Sequence, residues 1–337
     1  MKLPKVLAPL LLCCSVVLPR PQPGRVVNCD DAEAYEAANE AVQYINRHHH
    51  TGYKHTLNQI ETVRVYGLAP LEYIFIEIDL LETVCPSLSP KPVAECPVRP
   101  IIEQAVKGDC DVKLKKENGN FTDIRIRCKS ELDSAENIHK FHPNFPLLAP
   151  LNDTQVVHAV DVSLHQFNAG NNTSFYLLHE IGRGKIQSGI SNSVHVEFVI
   201  ASSNCTKDDA NSGVACVEES GAGAHFGGCS GSVVKNQGAV DEDVVVQCTV
   251  YDPQPREVAQ AVAPQVPLAP PLTNVIQSRF HHNLHHTSLG PHSSESNSAE
   301  QVLVTKAGHA VKRSLTGEPV LPNVPSLPLC PGRKIHF

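Results

Sequence analysis

Four carboxylates stand out for their spacing. Glu77 and Asp79 are two residues apart, as are Asp109 and Asp111, and each pair lies in a segment that alternates apolar and polar residues. Ile74, Ile76, Ile78 and Leu80 point one way, and Tyr73, Phe75, Glu77 and Asp79 the other. Asp109 and Asp111 flank Cys110, on the side opposite Cys110 and Val112. Side chains at i and i+2 of a strand share a face ~6.8 Å apart, and neighbouring strands lie ~4.8 Å apart. Acids on such a grid offer oxygen ligands at regular intervals, which suits a hard cation such as calcium. The solvated face of any half-exposed antiparallel sheet also looks this way, so spacing alone leaves both readings open. Arg125 and Arg127 share the outward face of the next strand with Asp123, and their effect on the acidic grid is open at this level.

Other candidate chemistry is weaker. His281, His282, His285 and His286 have the i, i+4 spacing that holds zinc on a helix, but they sit in a Pro- and Ser-rich stretch that favours a solvated segment. Ser134, Ser293 and Ser298 each precede a glutamate by two positions, the Ser-x-Glu pattern of secretory-pathway phosphorylation. A phosphate there would add about −1.5 to −2 charge and further oxygen ligands. No Gly-x-Ser-x-Gly, His-Glu-x-x-His or phosphate-cradling loop occurs, and no enzyme and no cofactor is expected.

The elements that position these residues are marked by cysteines. Cys85, Cys96, Cys110 and Cys128 are spaced 11, 14 and 18; Cys205, Cys216, Cys229 and Cys248 are spaced 11, 13 and 19. Both blocks span 43 positions and lie 120 residues apart, and the same shift lays Ile76, Glu77 and Ile78 on Val196, Glu197 and Phe198. That is a duplication. Each copy opens with a helix: Asp30 to Glu33 has capping-box spacing before the stripe Ala34, Ala37, Ala38, Ala41, Val42 and Ile45, and Thr154 precedes Val156, Val157, Val160, Leu164 and Phe167. About four antiparallel strands follow each helix, giving an α+β unit with one covered sheet face. Four cysteines allow three pairings, and the repeat favours local bridges in each block: Cys85–Cys96, Cys110–Cys128, Cys205–Cys216 and Cys229–Cys248. Cys29 and Cys330 remain, and would tie the start of the first domain to the end of the tail.

The expected organisation is a signal peptide over 1–24, a first domain over 25–143, a second over 144–252 and a disordered tail over 253–337. Lys2 and Lys5 precede an apolar run too short to span a bilayer, so the chain is expected to be secreted, extracellular and without membrane insertion. Sequons at Asn120, Asn152, Asn171, Asn172 and Asn204 agree with that route. Twelve of the 26 prolines and seven of the 18 histidines fall in the last 85 residues, where hydrophobic periodicity stops. Lys312-Arg313 within the tail is a dibasic pair open to a processing protease. The net charge of −7 argues against nucleic acid, whose phosphates need a basic surface. A monomer is expected.

The chain resembles the fetuins, the type 3 cystatins, and the fetuin-A branch more than the fetuin-B branch. The resemblance runs from Asn28-Cys29-Asp30-Asp31 to Cys330-Pro331-Gly332-Arg333. It rests on Gly52 to Ile60, Asp79 to Thr83, Gly108 to Asp111 and above all Pro146 to Thr154, together with the cysteine ladder. It implies two cystatin-like domains and an extracellular glycoprotein that binds calcium phosphate and opposes ectopic calcification, with Glu77, Asp79, Asp109 and Asp111 as the mineral-binding acids. It also implies membership of the endopeptidase inhibitors, with extracellular proteases or receptors as partners. The chain departs from the family where a Cys-x-x-Cys-Pro linker loop is usual: His142 to Pro146 reads His-Pro-Asn-Phe-Pro. That loss argues against inhibition of astacin-type metalloproteases. Inhibition of papain-like proteases is expected to be absent, because the first hairpin reads Val63-Arg-Val65-Tyr-Gly67 and the chain has no Trp. At the positions matching the four acids the second copy holds Glu197, Val199, Gly228 and Ser230, so the first domain should carry the mineral face.

Overall fold

The computed structural model describes residues 25–132, 138, 140, 142, 145–171, 174–187, 191–221, 223–236, 238, 241–253, 288–289 and 330–337. The signal segment, Asn172, Ser134, Ser293, Ser298, the four tail histidines His281, His282, His285 and His286, and Lys312-Arg313 lie outside these residues.

Helix α1 (Ala32–His48) buries its alanine stripe completely, with Val42 and Ile45 beside it. Alanine lets the helix axis approach the sheet closely, so the apolar layer opposite is made of large side chains from the strands. Ile74, Ile76, Ile78, Val112, Leu114, Ile124 and Ile126 supply it. Each is a branched side chain on a pleated face, and burying one contributes roughly 1.5–3 kcal/mol.

The first sheet has the order β1 (Arg25–Val26), β2 (Tyr53–Leu68), β3 (Leu71–Pro86), β4 (Val106–Glu117), β5 (Asn120–Leu132) and β11 (Ser288–Leu289), all antiparallel. The second runs β10 (Asp243–Val250), β9 (Phe226–Asn236), β8 (Ser191–Ser202), β7 (Tyr176–Gln187) and β6 (Leu147–Leu148). Helix α2 (Thr154–Gly170) covers it, and a short α3 (Lys207–Asn211) follows β8. Glycine lets α2 settle: a Cβ at Gly184 would lie 2.5 Å from Val156, and one at Gly231 only 2.4 Å from the Ser163 hydroxyl. No helix among the described residues is long and apolar enough to cross a membrane.

Five disulfides staple these layers. Cys110–Cys128 and Cys229–Cys248 join directly opposed residues of β4/β5 and β9/β10, while Cys85–Cys96 and Cys205–Cys216 close loops after β3 and β8. Cys29–Cys330 brings the last eight residues onto β2, where Gly332 N donates to Ile60 O at 2.8 Å and Ile335 N to Asn58 O at 2.8 Å.

This tie explains one departure from expectation. The capping box read at Asp30 and Glu33 does not form. The N-cap is Asp31, with no side-chain cap bond. Asp30 instead accepts from Arg333 N at 3.0 Å and the Tyr35 hydroxyl, and Glu33 pairs with Arg25. A charge pair and the docked C-terminus outcompete the local cap.

Candidate functional site: the outer face of the first sheet

The face of the first sheet turned away from α1 carries the acidic grid. In the register of β3 and β4, Glu77 stands opposite Asp111 and Asp79 opposite Asp109. Side chains directly opposed across antiparallel strands have Cβ atoms about 4.5–5.5 Å apart. Asp111 is exposed and the other three are half-buried. All four therefore occupy one open two-by-two block.

A fifth acid joins them. Residues Ile60 and Thr62 of β2 pair with Ile78 and Glu77, leaving Glu61 as the extra residue of a bulge. Burial and the neighbouring Asp79 and Glu77 carboxylates push Glu61 above the ordinary glutamate value, while Lys334 of the docked C-terminus pulls it back. The one mark of the bulge in the local sequence is a break in the period of two, with apolar Ile60 and Val63 three positions apart. Ile60 and Val63 are both buried although they stand three positions apart, so Glu61 and Thr62 lie between them on the outer side.

The basic residues noted above border the block. Arg127 stands opposite Asp111, and Lys129 opposite Asp109 with Nζ 3.6 Å from the carboxylate. Arg125 pairs with Asp123 at 3.4 Å. Lys129 is 62% exposed and its pair with Asp109 is weak, so Asp109 is shared rather than neutralised. Among the described residues, no group of three or more His, Cys, Asp or Glu side chains is gathered tightly enough to chelate one metal ion. The acids are laid out as a surface and not as a cage.

The second sheet shows why its copy of this face carries a single acid. Glu197 and Val199 stand opposite Ser230 and Gly228, in the same register as the first-domain quartet. That face is covered by the first domain. Tyr53 hydroxyl donates to Glu197 at 2.6 Å, and Arg99 reaches the same carboxylate with both terminal nitrogens at 2.9 and 2.8 Å. A Cβ at Gly182 would meet the Tyr53 hydroxyl at 2.6 Å, and one at Gly228 the Tyr251 hydroxyl at 2.4 Å and Pro86 at 3.3 Å. Behind them Arg183 grips Glu82 at 2.9 and 2.8 Å and donates to the Glu103 and Gln104 carbonyls. Leu148 N donates to Gln104 Oε1 at 2.7 Å, and Gly52 N to Glu180 at 2.9 Å.

Arg99, Arg183 and Glu82 are almost wholly buried. Burial opposes ionisation of Glu197, yet Arg99 and the Tyr53 hydroxyl hold its carboxyl below the usual range. For Arg99, too, burial is outweighed by Glu82 and Glu197, so the guanidinium stays charged. Additional unpaired acids on this face would be buried charges, which is prohibitive. The first-domain face has no such cover.

The sequons fall on exposed or half-exposed ground. Asn120 follows the turn between β4 and β5, Asn152 precedes α2 and Asn171 caps its C-terminus. Asn204 accepts from Val217 N at 3.0 Å beside the Cys205–Cys216 bridge.

Comparison with known proteins follows the same lines. A cystatin domain model matches residues 146–236. Alpha-2-HS-glycoprotein of Sus scrofa is 40% identical, over 92% of this chain and 92% of the relative. The Homo sapiens protein of that name is 38% identical over 93% and 92%. Among solved structures, mouse fetuin-B in complex with crayfish astacin shares the fold with a TM-score of 0.58 at 24% identity, covering 71% of this chain and 77% of that one. Mouse fetuin-B alone gives 0.56 at 21% identity, covering 80% and 90%. With two helix-covered antiparallel sheets and similarity along nearly its whole length, the chain belongs to the fetuins, on the alpha-2-HS-glycoprotein branch of the cystatin-type proteins, which bind or inhibit and are not enzymes.

Proposed function

We propose that the protein is a secreted plasma-type glycoprotein whose first-domain sheet face binds calcium phosphate and delays its precipitation. The observation that carries this is the direct opposition of Glu77 with Asp111 and Asp79 with Asp109 on an open face, with Glu61 alongside. Calcium takes oxygen ligands in flexible geometry, and a rigid sheet repeats them at the ~4.8 and ~6.8 Å periods of the pleat. Phosphorylation at Ser134, Ser293 or Ser298 would add to this capacity.

The test is a full-length variant with Glu77, Asp79, Asp109 and Asp111 changed to Ser, measured for delay of calcium phosphate precipitation. Loss of most of the delay with unchanged thermal unfolding supports the reading. A delay equal to that of the parent rejects it.

Protease inhibition is the second reading, because fetuin-B is seen in complex with astacin and with meprin beta. The linker speaks against it here, since residues 142–146 hold no cysteine. Astacin activity in the presence of the same preparation separates the two readings.

A further inference from the structure

The outer face of the first sheet is not acidic throughout. Its side chains fall into rows across β2, β3, β4 and β5. One row reads Arg64, Phe75, Lys113, Arg125; the next reads Thr62, Glu77, Asp111, Arg127; the third reads Gln59, Asp79, Asp109, Lys129. Successive rows are ~6.8 Å apart and neighbouring columns ~4.8 Å. The acidic block is therefore bounded on two sides, by a cationic row above it and by the β5 column beside it.

We propose that this border is an anion subsite: Arg64, Lys113 and Arg125, with Arg127 at the corner, hold phosphate oxygens while the adjoining acids hold calcium. The inference rests on the calcium phosphate reading and specifies how the face meets both ions of the solid.

The first support is the placement of like charges. Lys113 stands directly opposite Arg125 across β4 and β5. Like charges so placed repel and weaken a sheet unless something of opposite sign lies between them. Asp123, 3.4 Å from Arg125, is the carboxylate that touches this row, and among the described residues none lies within 4 Å of Arg64, Lys113 or Arg127. Elsewhere in the chain buried arginines are closely matched with acids, as at Arg99 and Arg183.

The second is pre-organisation. The Lys113 ammonium rests 5.3 Å from the ring centres of both Tyr73 and Phe75, and Tyr66 packs edge-on against Phe75 at 5.4 Å. The rings on β3 attract the cation from the neighbouring strand, and Lys113 stays exposed. Phe75 remains 41% exposed, so the platform faces solvent.

The third is the chemistry of the ligand. Arginine presents a planar fork of donors that matches a tetrahedral oxyanion, and charge-assisted bonds of this kind are the strong ones. A face carrying acids alone attracts calcium but repels phosphate. One with cations a single row away matches a solid in which the two alternate.

The test uses the full-length chain and two probes: calcium alone in phosphate-free buffer, followed by equilibrium dialysis, and preformed calcium phosphate colloid, followed by adsorption. Lys113→Glu with Arg125→Glu should bind calcium at least as well as the parent, yet need about tenfold more protein to half-saturate the colloid, the loss expected for a charge-assisted contact. Adsorption equal to or better than the parent overturns the inference, because that is the outcome if negative charge alone matters. Arg64→Gln with Arg127→Gln, both at exposed positions, gives the same comparison should the reversed pair unfold. If the four-acid Ser variant still adsorbs normally, the calcium phosphate reading itself falls and takes this inference with it.

Discussion

Replacing Glu82 with Gln removes one charge from the joint between the domains while keeping its volume. Glu82 accepts two bonds from Arg183 Nη1, at 2.9 and 2.8 Å, and one from Val106 N at 2.8 Å, and lies 3.3 Å from Arg99 Nε. Its side chain is 3% exposed, and those of both arginines 1%. After the change Arg99 keeps Glu197 and Glu103, but Arg183 loses its carboxylate partner and keeps neutral acceptors, the Glu103 and Gln104 carbonyls and the new amide oxygen. Breaking a buried pair by removing one partner costs about 3–5 kcal/mol, against a total stability for a domain of about 5–15 kcal/mol. Urea unfolding with disulfides intact, followed by far-ultraviolet circular dichroism, should show the midpoint fall accordingly. Small-angle scattering should show a larger radius of gyration as the domains part. Glu103→Gln is the control: its side chain is 31% exposed, and a loss under ~1 kcal/mol is expected. A Glu82→Gln protein within ~0.5 kcal/mol of the parent, the range of ordinary surface changes, refutes the assignment of the joint to this cluster.

Two further outcomes are expected. Burial holds His55 down to about 4 against 6.5 in a free chain. The unfolded chain therefore takes up a proton from pH 6.5 downward and the folded one only near 4, so stability is complete above that window and falls through it, by about 2.5 × 1.36 ≈ 3 kcal/mol. His55→Phe should flatten the dependence of the urea midpoint between pH 7 and 4.5, and equal slopes in both proteins would count against the claim. Changing Cys29 and Cys330 together to Ser leaves the last eight residues held by non-covalent contacts alone, such as Gln59 Nε2 to Gly332 O at 2.6 Å and Arg333 over the Tyr35 ring at 5.8 Å. Amide exchange at Gly332 and Ile335 should quicken by orders of magnitude, and stability should fall by about 2–5 kcal/mol. Unchanged exchange would show that the bridge is not what holds the segment.

The fold was readable because its signals are local and repeated. Alternation over Ile74 to Leu80, the alanine stripe of α1 and two matching cysteine ladders each report a period that backbone geometry imposes. The side of the strand taken by Glu77, Asp79, Asp109 and Asp111 followed from the same alternation. Three features did not. Glu61 shares the outer face with Thr62 through a bulge, which the three-residue gap between Ile60 and Val63 signals without placing it beside the acidic block. Asp30 serves the docked C-terminus in place of the helix cap, a contact across 303 positions. Glu197 looked like the last acid of a worn grid, whereas it is the counter-charge for Arg99 in the domain joint. Each depends on which surfaces meet in space, and periodicity carries no information about that.

The order of strands has a consequence for self-association. In the first sheet β1 and the C-terminal segment line part of the free side of β2, and β11 pairs with Ile126 and Arg127 of β5, so each rim is covered in part. In the second sheet β10 is terminal, its sequence Asp-Val-Val-Val-Gln-Cys-Thr-Val lacks lysine and proline, and Val245 is 68% exposed. An edge strand that, among the described residues, has no strand paired beyond it is a template for strand addition. Misassembly of this protein under stress should therefore start at the second domain and leave the first folded.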